Sequence, residues 1–95
     1  MKKLHLPVPL RLHTDGSACL ELPGATVGDL LEAAIRTHQA LRERVLDAAG
    51  DILEAVHVFV DARDIRELDG IGTPLEDGAN VWLLPRVGGG TGAAA

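Results

Sequence analysis

From Leu4 to Leu12 every even position is apolar (Leu4, Leu6, Val8, Leu10, Leu12), while Lys3, His5, Pro7, Pro9, Arg11 and His13 occupy the odd ones. A period of two predicts a half-buried strand. The prolines lack ladder donors, so regular pairing is expected to be firmest after Pro9. Thr14-Asp15-Gly16-Ser17 contains the Asp-Gly pair favoured in tight hairpins. A second strand follows from Ala18 to Leu22, with Leu20 and Leu22 on one face and Cys19 and Glu21 on the other, ended by Pro23-Gly24. The period then changes. Val27, Leu30, Leu31, Ala34 and Ile35 form one helical stripe, Thr26 stands where an N-cap belongs, and Asp29 and Glu32 lie near the positive end of the helix dipole.

Beyond a break near His38 to Ala40, Leu41, Val45 and Leu46 predict a second, short helix running to Ala48-Ala49-Gly50. Val56-His57-Val58-Phe59-Val60 is short and rich in β-branched residues, the composition of a strand. Residues 61–72 read as loop with at most a short strand around Ile65 to Leu68. Asp77-Gly78 makes another turn, and Val81-Trp82-Leu83-Leu84 is the last strand before Pro85. The alternation sets Val81 and Leu83 on one face and Trp82 and Leu84 on the other without saying which is inward. The expectation is that Val81 and Leu83 enter the core and Trp82 and Leu84 form an exposed apolar patch on which a partner can dock, the alternative being Trp82 as a core residue. The order strand, strand, helix, short helix, strand, loop, strand describes an α+β domain with a small mixed sheet and one principal helix across one face.

Composition narrows the function. At 95 residues the chain has length for one domain, and a core of that size leaves little room for a deep pocket lined by several catalytic groups. Apolar residues make up 46% and aromatic ones 2%, so Leu, Val, Ile and Ala fill the interior. These features favour a binding or carrier module. A net charge of −5 argues against nucleic acid, which requires clustered Lys and Arg. The acidity is concentrated in residues 43–80, where ten acidic side chains face three basic ones; it suits either a basic docking surface or a solvated face. Cys19 is the only cysteine, so no internal disulfide forms, and its place on the polar face of the second strand makes it a plain surface thiol. No run approaches the ~20 apolar residues of a membrane span, and no signal-peptide core follows Lys2-Lys3, so a cytoplasmic location is expected. His5 and His13, ~27 Å apart along one predicted strand at ~3.4 Å per residue, and His38 and His57, on separate elements, do not form a metal set.

The end of the chain, Arg86-Val87-Gly88-Gly89-Gly90-Thr91-Gly92-Ala93-Ala94-Ala95, holds four of the eleven glycines. It is read as a frayed terminus, as a phosphate loop, or as a thread for another protein's cleft. The phosphate loop lacks the Lys, the Ser/Thr and the following helix that such loops need. Extended from Arg86 to Gly90 at ~3.3 Å per residue, the thread reaches ~17 Å, and its glycine carbonyls are not shielded by a Cβ.

The element order, together with Asp77-Gly78, Val81 to Leu84 and the ending Pro85-Arg86-Val87-Gly88-Gly89-Gly90, resembles the ubiquitin-like sulfur carriers of the MoaD/ThiS family, and most of all those of cysteine biosynthesis. Other members serve molybdopterin and thiamine synthesis. The resemblance spans roughly residues 3–90, and the family's terminal Gly-Gly falls on Gly89 and Gly90. It implies a β-grasp fold over residues 1–87, with a four- to five-stranded sheet and one main helix, and a flexible Gly-rich tail over 88–95. It also implies a co-substrate rather than an enzyme. A ubiquitin-activating-type adenylyltransferase, using ATP and magnesium that this chain does not itself bind, activates Gly90. Conversion to a thiocarboxylate follows, and sulfide passes to a sulfur-accepting biosynthetic enzyme. Arg86, Val87, Gly88 and Gly89 enter the partner's cleft, with Arg86 placed either to pair with its acids or as a solvated charge.

Family members usually end at the second glycine, whereas five residues follow Gly90 here. The expectation is a precursor cleaved between Gly90 and Thr91 by a JAMM-type metalloprotease, making 91–95 a removable cap. Two rivals stay open: a ubiquitin-like modifier joined through Gly90 to lysines, and an interaction domain with an inert tail.

Overall fold

The computed structural model describes residues 1–85. Strand β1 (Lys2–His5) leads through one helical turn, α1 (Val8–Arg11), to β2 (Cys19–Leu22). Helix α2 (Val27–Thr37) follows, then a 3-10 turn at Gln39–Leu41, α3 (Arg42–Val45), β3 (Val56–Val60) and β4 (Arg63–Asp64). Two further 3-10 turns, Ile65–Glu67 and Gly70–Gly72, lead to β5 (Asn80–Pro85). The five strands form one mixed sheet in the order β2-β1-β5-β3-β4. β1 and β5 are parallel at its centre, pairing Leu4 with Val81, and all other neighbours are antiparallel. This is the β-grasp architecture, with the principal helix on one face of the sheet.

The core lies between that face and α2. Leu4, Val58, Val81 and Leu83 project from the sheet, and Val27, Leu30, Leu31 and Ala34 from the helix. Full burial of each leucine contributes about 2 kcal/mol. Thr26 caps α2, its hydroxyl accepting from the Asp29 N–H at 3.2 Å. The predicted stripe and its start are therefore both present. Gly24 lies so close to the helix that a Cβ there would stand 2.7 Å from the Leu30 backbone nitrogen.

The opening segment corrects the expectation of a continuous strand from Leu4 to Leu12. β1 ends at His5, Pro7 becomes the N-cap of α1, and Pro9 sits in the first turn. Proline is tolerated there because first-turn N–H groups have no helical partner. The period of two is coincidental past Leu6. Leu6 and Leu10, four apart, are both buried across the turn, whereas Val8 and Leu12 are left exposed. His5 and His13 consequently do not share a strand. Asp15 and Gly16 do turn the chain with positive φ, at 55° and 83°, but inside a connection covering residues 6–18 rather than in a tight hairpin. The buried Thr14 braces this connection, its hydroxyl donating to the Ser17 carbonyl at 2.9 Å.

Two other boundaries differ. The second helix stops at Val45 because Asp47 Oδ1 accepts the Ala49 and Asp51 N–H groups and draws 47–51 into a turn. The short strand expected around Ile65 to Leu68 lies earlier, at Arg63–Asp64, directly after a two-residue reversal in which Asp61 has φ 55°. Asp64 then accepts the Arg66 N–H at 2.9 Å and turns Ile65–Glu67 into a 3-10 helix. Among the described residues, no helix is long and apolar enough to cross a membrane.

Candidate functional site

β5 is hydrogen-bonded on both sides, and its inner positions are fully committed to the core, with Val81 0% and Leu83 1% exposed. Strand alternation therefore turns Trp82 and Leu84 to the uncovered face of the sheet, where they keep 40% and 41% of their surface. Cross-strand register supplies their neighbours. Trp82 is opposite His5 of β1 on one side and Phe59 of β3 on the other, and Leu84 is opposite His57.

The imidazole of His5 stacks on the Trp82 indole with centroids 3.8 Å apart and planes 11° from parallel. His5 Nε2 is 2.8 Å from Asn80 Oδ1, a hydrogen bond that holds the ring upright from the neighbouring strand. Aromatic pairs of this kind gain about 0.5–1.5 kcal/mol beyond the area they bury. His57 Nδ1 lies 3.6 Å from Asp64 Oδ2, and its ring leans toward Phe59 at 6.4 Å. The result is a row of flat side chains across the middle three strands, held at one edge by the His5–Asn80 hydrogen bond, flanked at the other by the His57–Asp64 contact, and open on top. A rigid apolar platform with a polar rim is the form of a protein-binding hot spot.

β5 ends at Pro85, so the platform lies immediately before the tail. A small cleft of about 170 Å³, lined by Pro7, Pro9, Leu10, Arg44, Leu84 and Pro85 among others, adjoins that point. Of the residues singled out in the sequence, Trp82 and Leu84 are brought together on this face. Arg86, Val87, Gly88, Gly89, Gly90 and Thr91 lie outside the described residues. Sequence reasoning missed His5, Phe59 and Asn80 as companions of Trp82; the outward register of Lys3 and His5 was the available signal. Cys19, across from His5, is exposed.

Among the described residues no three His, Cys, Asp or Glu side chains gather as a metal set. Asp77, in the turn before β5, has its pKa lowered, first by a 2.8 Å hydrogen bond from the Met1 ammonium and then by that group's charge. This contact joins the start of β1 to the start of β5.

Comparison with known proteins agrees with the β-grasp fold. The ThiS family model matches residues 8–90. The sulfur carrier protein CysO of Mycobacterium tuberculosis is 31% identical over 87 residues, covering 90% of this chain and 94% of the relative. Small archaeal modifier protein 3 of Haloferax volcanii is 36% identical over 66 residues, 70% of this chain and 71% of the relative. Among solved structures, the Amycolatopsis orientalis BexX/CysO complex superposes with TM-score 0.86 at 26% identity, over 92% of this chain and 97% of the matched one. Crystalline CysO of M. tuberculosis gives TM-score 0.86 at 28% identity, over 92% of this chain and 100% of the matched one.

Proposed function

Starting from the chain's membership of the ThiS family, we propose that it is a sulfur carrier whose working group is the carboxylate of Gly90, freed by removal of residues 91–95. The observation that carries this reading is the sequence Pro85-Arg86-Val87-Gly88-Gly89-Gly90, whose first residue ends a strand locked into the centre of the sheet. The chemistry needs no catalytic side chain of this chain. The Gly90 carboxylate attacks the α-phosphorus of ATP on an adenylyltransferase, and pyrophosphate leaves. A sulfide equivalent then adds to the acyl carbon and displaces AMP, giving a thiocarboxylate that delivers its sulfur to a biosynthetic enzyme. Magnesium and ATP belong to the activating partner.

Each part of the domain has a role in that scheme. Trp82 and Leu84 form the surface on which the partner closes, and Arg86 to Gly89 supply a thread narrow enough for its active-site cleft. A related carrier has been crystallised in complex with BexX, which supports partner docking as the mode of action. A JAMM-type metalloprotease acting between Gly90 and Thr91 would generate the working end. These steps belong to the cytoplasm, where the partners and ATP are found together.

Intact-mass measurement on protein from its native cells tests the reading. The expected species ends at Gly90, and a fraction is heavier by the difference between one sulfur and one oxygen. A chain that always retains Ala95 would refute it.

The likeness to small archaeal modifier protein 3 supports a second outcome, in which the nitrogen of a target lysine attacks the same activated Gly90. Denaturing gels separate the two. Higher-mass lysine conjugates mark the modifier, and the thiocarboxylate marks the carrier.

A further inference from the structure

On the side of the domain away from Trp82, an open groove of about 710 Å³ runs along α2 toward α3 and the 70–72 turn. Its floor is apolar, formed by Leu31, Ile35 and Leu46, and Ile71 borders it with 44% of its surface exposed. Four charged residues also line it, in the chain order Asp29, Glu32, Arg36, Arg42. All four are exposed, and among the described residues none of them is in an ion pair. Glu32 precedes Arg36 by four residues, the spacing at which a helix ordinarily pairs them.

We propose that this groove is an isologous interface between two copies of the chain, packed with their α2 helices antiparallel. In a two-fold dimer each contact occurs twice with its partners exchanged. The groove's charge order is complementary to its own reversal: Glu32 of one copy meets Arg36 of the other, and Asp29 meets Arg42. Glu32 and Arg36 straddle position 34 of α2, so a two-fold axis passing beside Ala34 and Ile35 exchanges them between the two helices. Asp29, in the first turn of α2, and Arg42, at the start of α3, line the same groove and add the second pair of opposite sign. A parallel arrangement would set acid against acid. The antiparallel one also covers both copies of Ile35 and Ile71, which the monomer leaves partly in water. The sheet face carrying Trp82 stays free, so the inference stands independently of the proposed chemistry at Gly90.

Sedimentation of the full 95-residue chain from about 10 µM to about 1 mM tests it. The expected result is a monomer–dimer equilibrium whose dissociation constant rises at least about tenfold between about 0.05 M and about 0.5 M salt. The double variant Arg36→Glu/Arg42→Glu should be monomeric, and so should Asp29→Arg/Glu32→Arg. Mixing the two restores complementarity and should give a heterodimer. Circular dichroism confirms that each variant is folded. The proposal is overturned by a parent chain that stays monomeric throughout, by a dimer that the reversals leave unchanged, or by variants that fail to pair on mixing.

Discussion

Replacing Trp82 with Ala tests whether the outer face of β5 is the docking surface. The indole already leans on His5, yet 40% of its surface is open. Of the roughly 250 Å² a Trp side chain can bury, about 100 Å² is therefore left for a partner to cover. At about 25 cal/mol per Å² this amounts to about 2.5 kcal/mol, or about 70-fold in affinity. Interface area converts incompletely because ordering and desolvation oppose it, so a loss of about 10- to 70-fold is expected. The assay is AMP-forming turnover by the cognate adenylyltransferase, with a chain ending at Gly90 as the varied substrate. KM for the carrier should rise by that factor while kcat stays close to the parent value, because the reacting carboxylate is untouched. The core should survive, since Val81 and Leu83 point the other way. Gln39→Ala, on the helical side, should leave KM unchanged. A KM for Trp82→Ala within about twofold of the parent (about 0.4 kcal/mol) would refute the reasoning.

Gly24→Ala should destabilise the domain, because its Cβ meets Leu30 backbone atoms at 2.7 and 2.9 Å. Overpacking of about 1–3 kcal/mol outweighs about 0.4–1 kcal/mol gained from a stiffer unfolded chain. Gly72→Ala, with nothing within 4 Å and no left-handed φ, should instead leave the urea midpoint unchanged or raise it; a Gly24→Ala midpoint at or above the parent's would show the contact to be harmless. The lowered pKa of Asp77 sets a pH dependence of definite sign. The folded state holds this proton less tightly than the unfolded one, so the Met1 contact stabilises above the ordinary Asp range and is lost as pH falls through it to the folded value. Both groups are exposed, so the effect is small and salt-screened. Carboxyl NMR should place Asp77 below an ordinary Asp, and Asp77→Asn should flatten that portion of the acid limb; titration at or above the ordinary value would contradict the assignment.

The parts of the fold legible in the sequence were those governed by local rules. The α2 stripe and its Thr26 cap follow from spacing within a single helix, and the two faces of β5 follow from alternation in a single strand, although four apolar residues in a row did not say which face was inward. The opening segment misled because Leu6 and Leu10 satisfy a period of two and a spacing of four alike, and only the prolines distinguished the two. The companions of Trp82 were hidden for another reason. His5 and Phe59 reach it through register between strands that lie far apart along the chain, and a linear pattern does not encode register. Asp47 and Asp64 changed element boundaries through single side-chain hydrogen bonds, which periodicity overlooks. The proposed reacting group is a backbone carboxylate and was legible only as a motif.

The parallel pairing of β1 with β5 has a mechanical consequence. One strand begins near the amino terminus and the other leads to the tail, so tension between Met1 and the tail loads the two strands in opposite directions along their common axis. The hydrogen bonds between them then share the force in shear, whereas an antiparallel pair pulled at one end would peel open one bond at a time. A pull on the tail with the amino-terminal end held therefore works along the direction in which this pair of strands resists most.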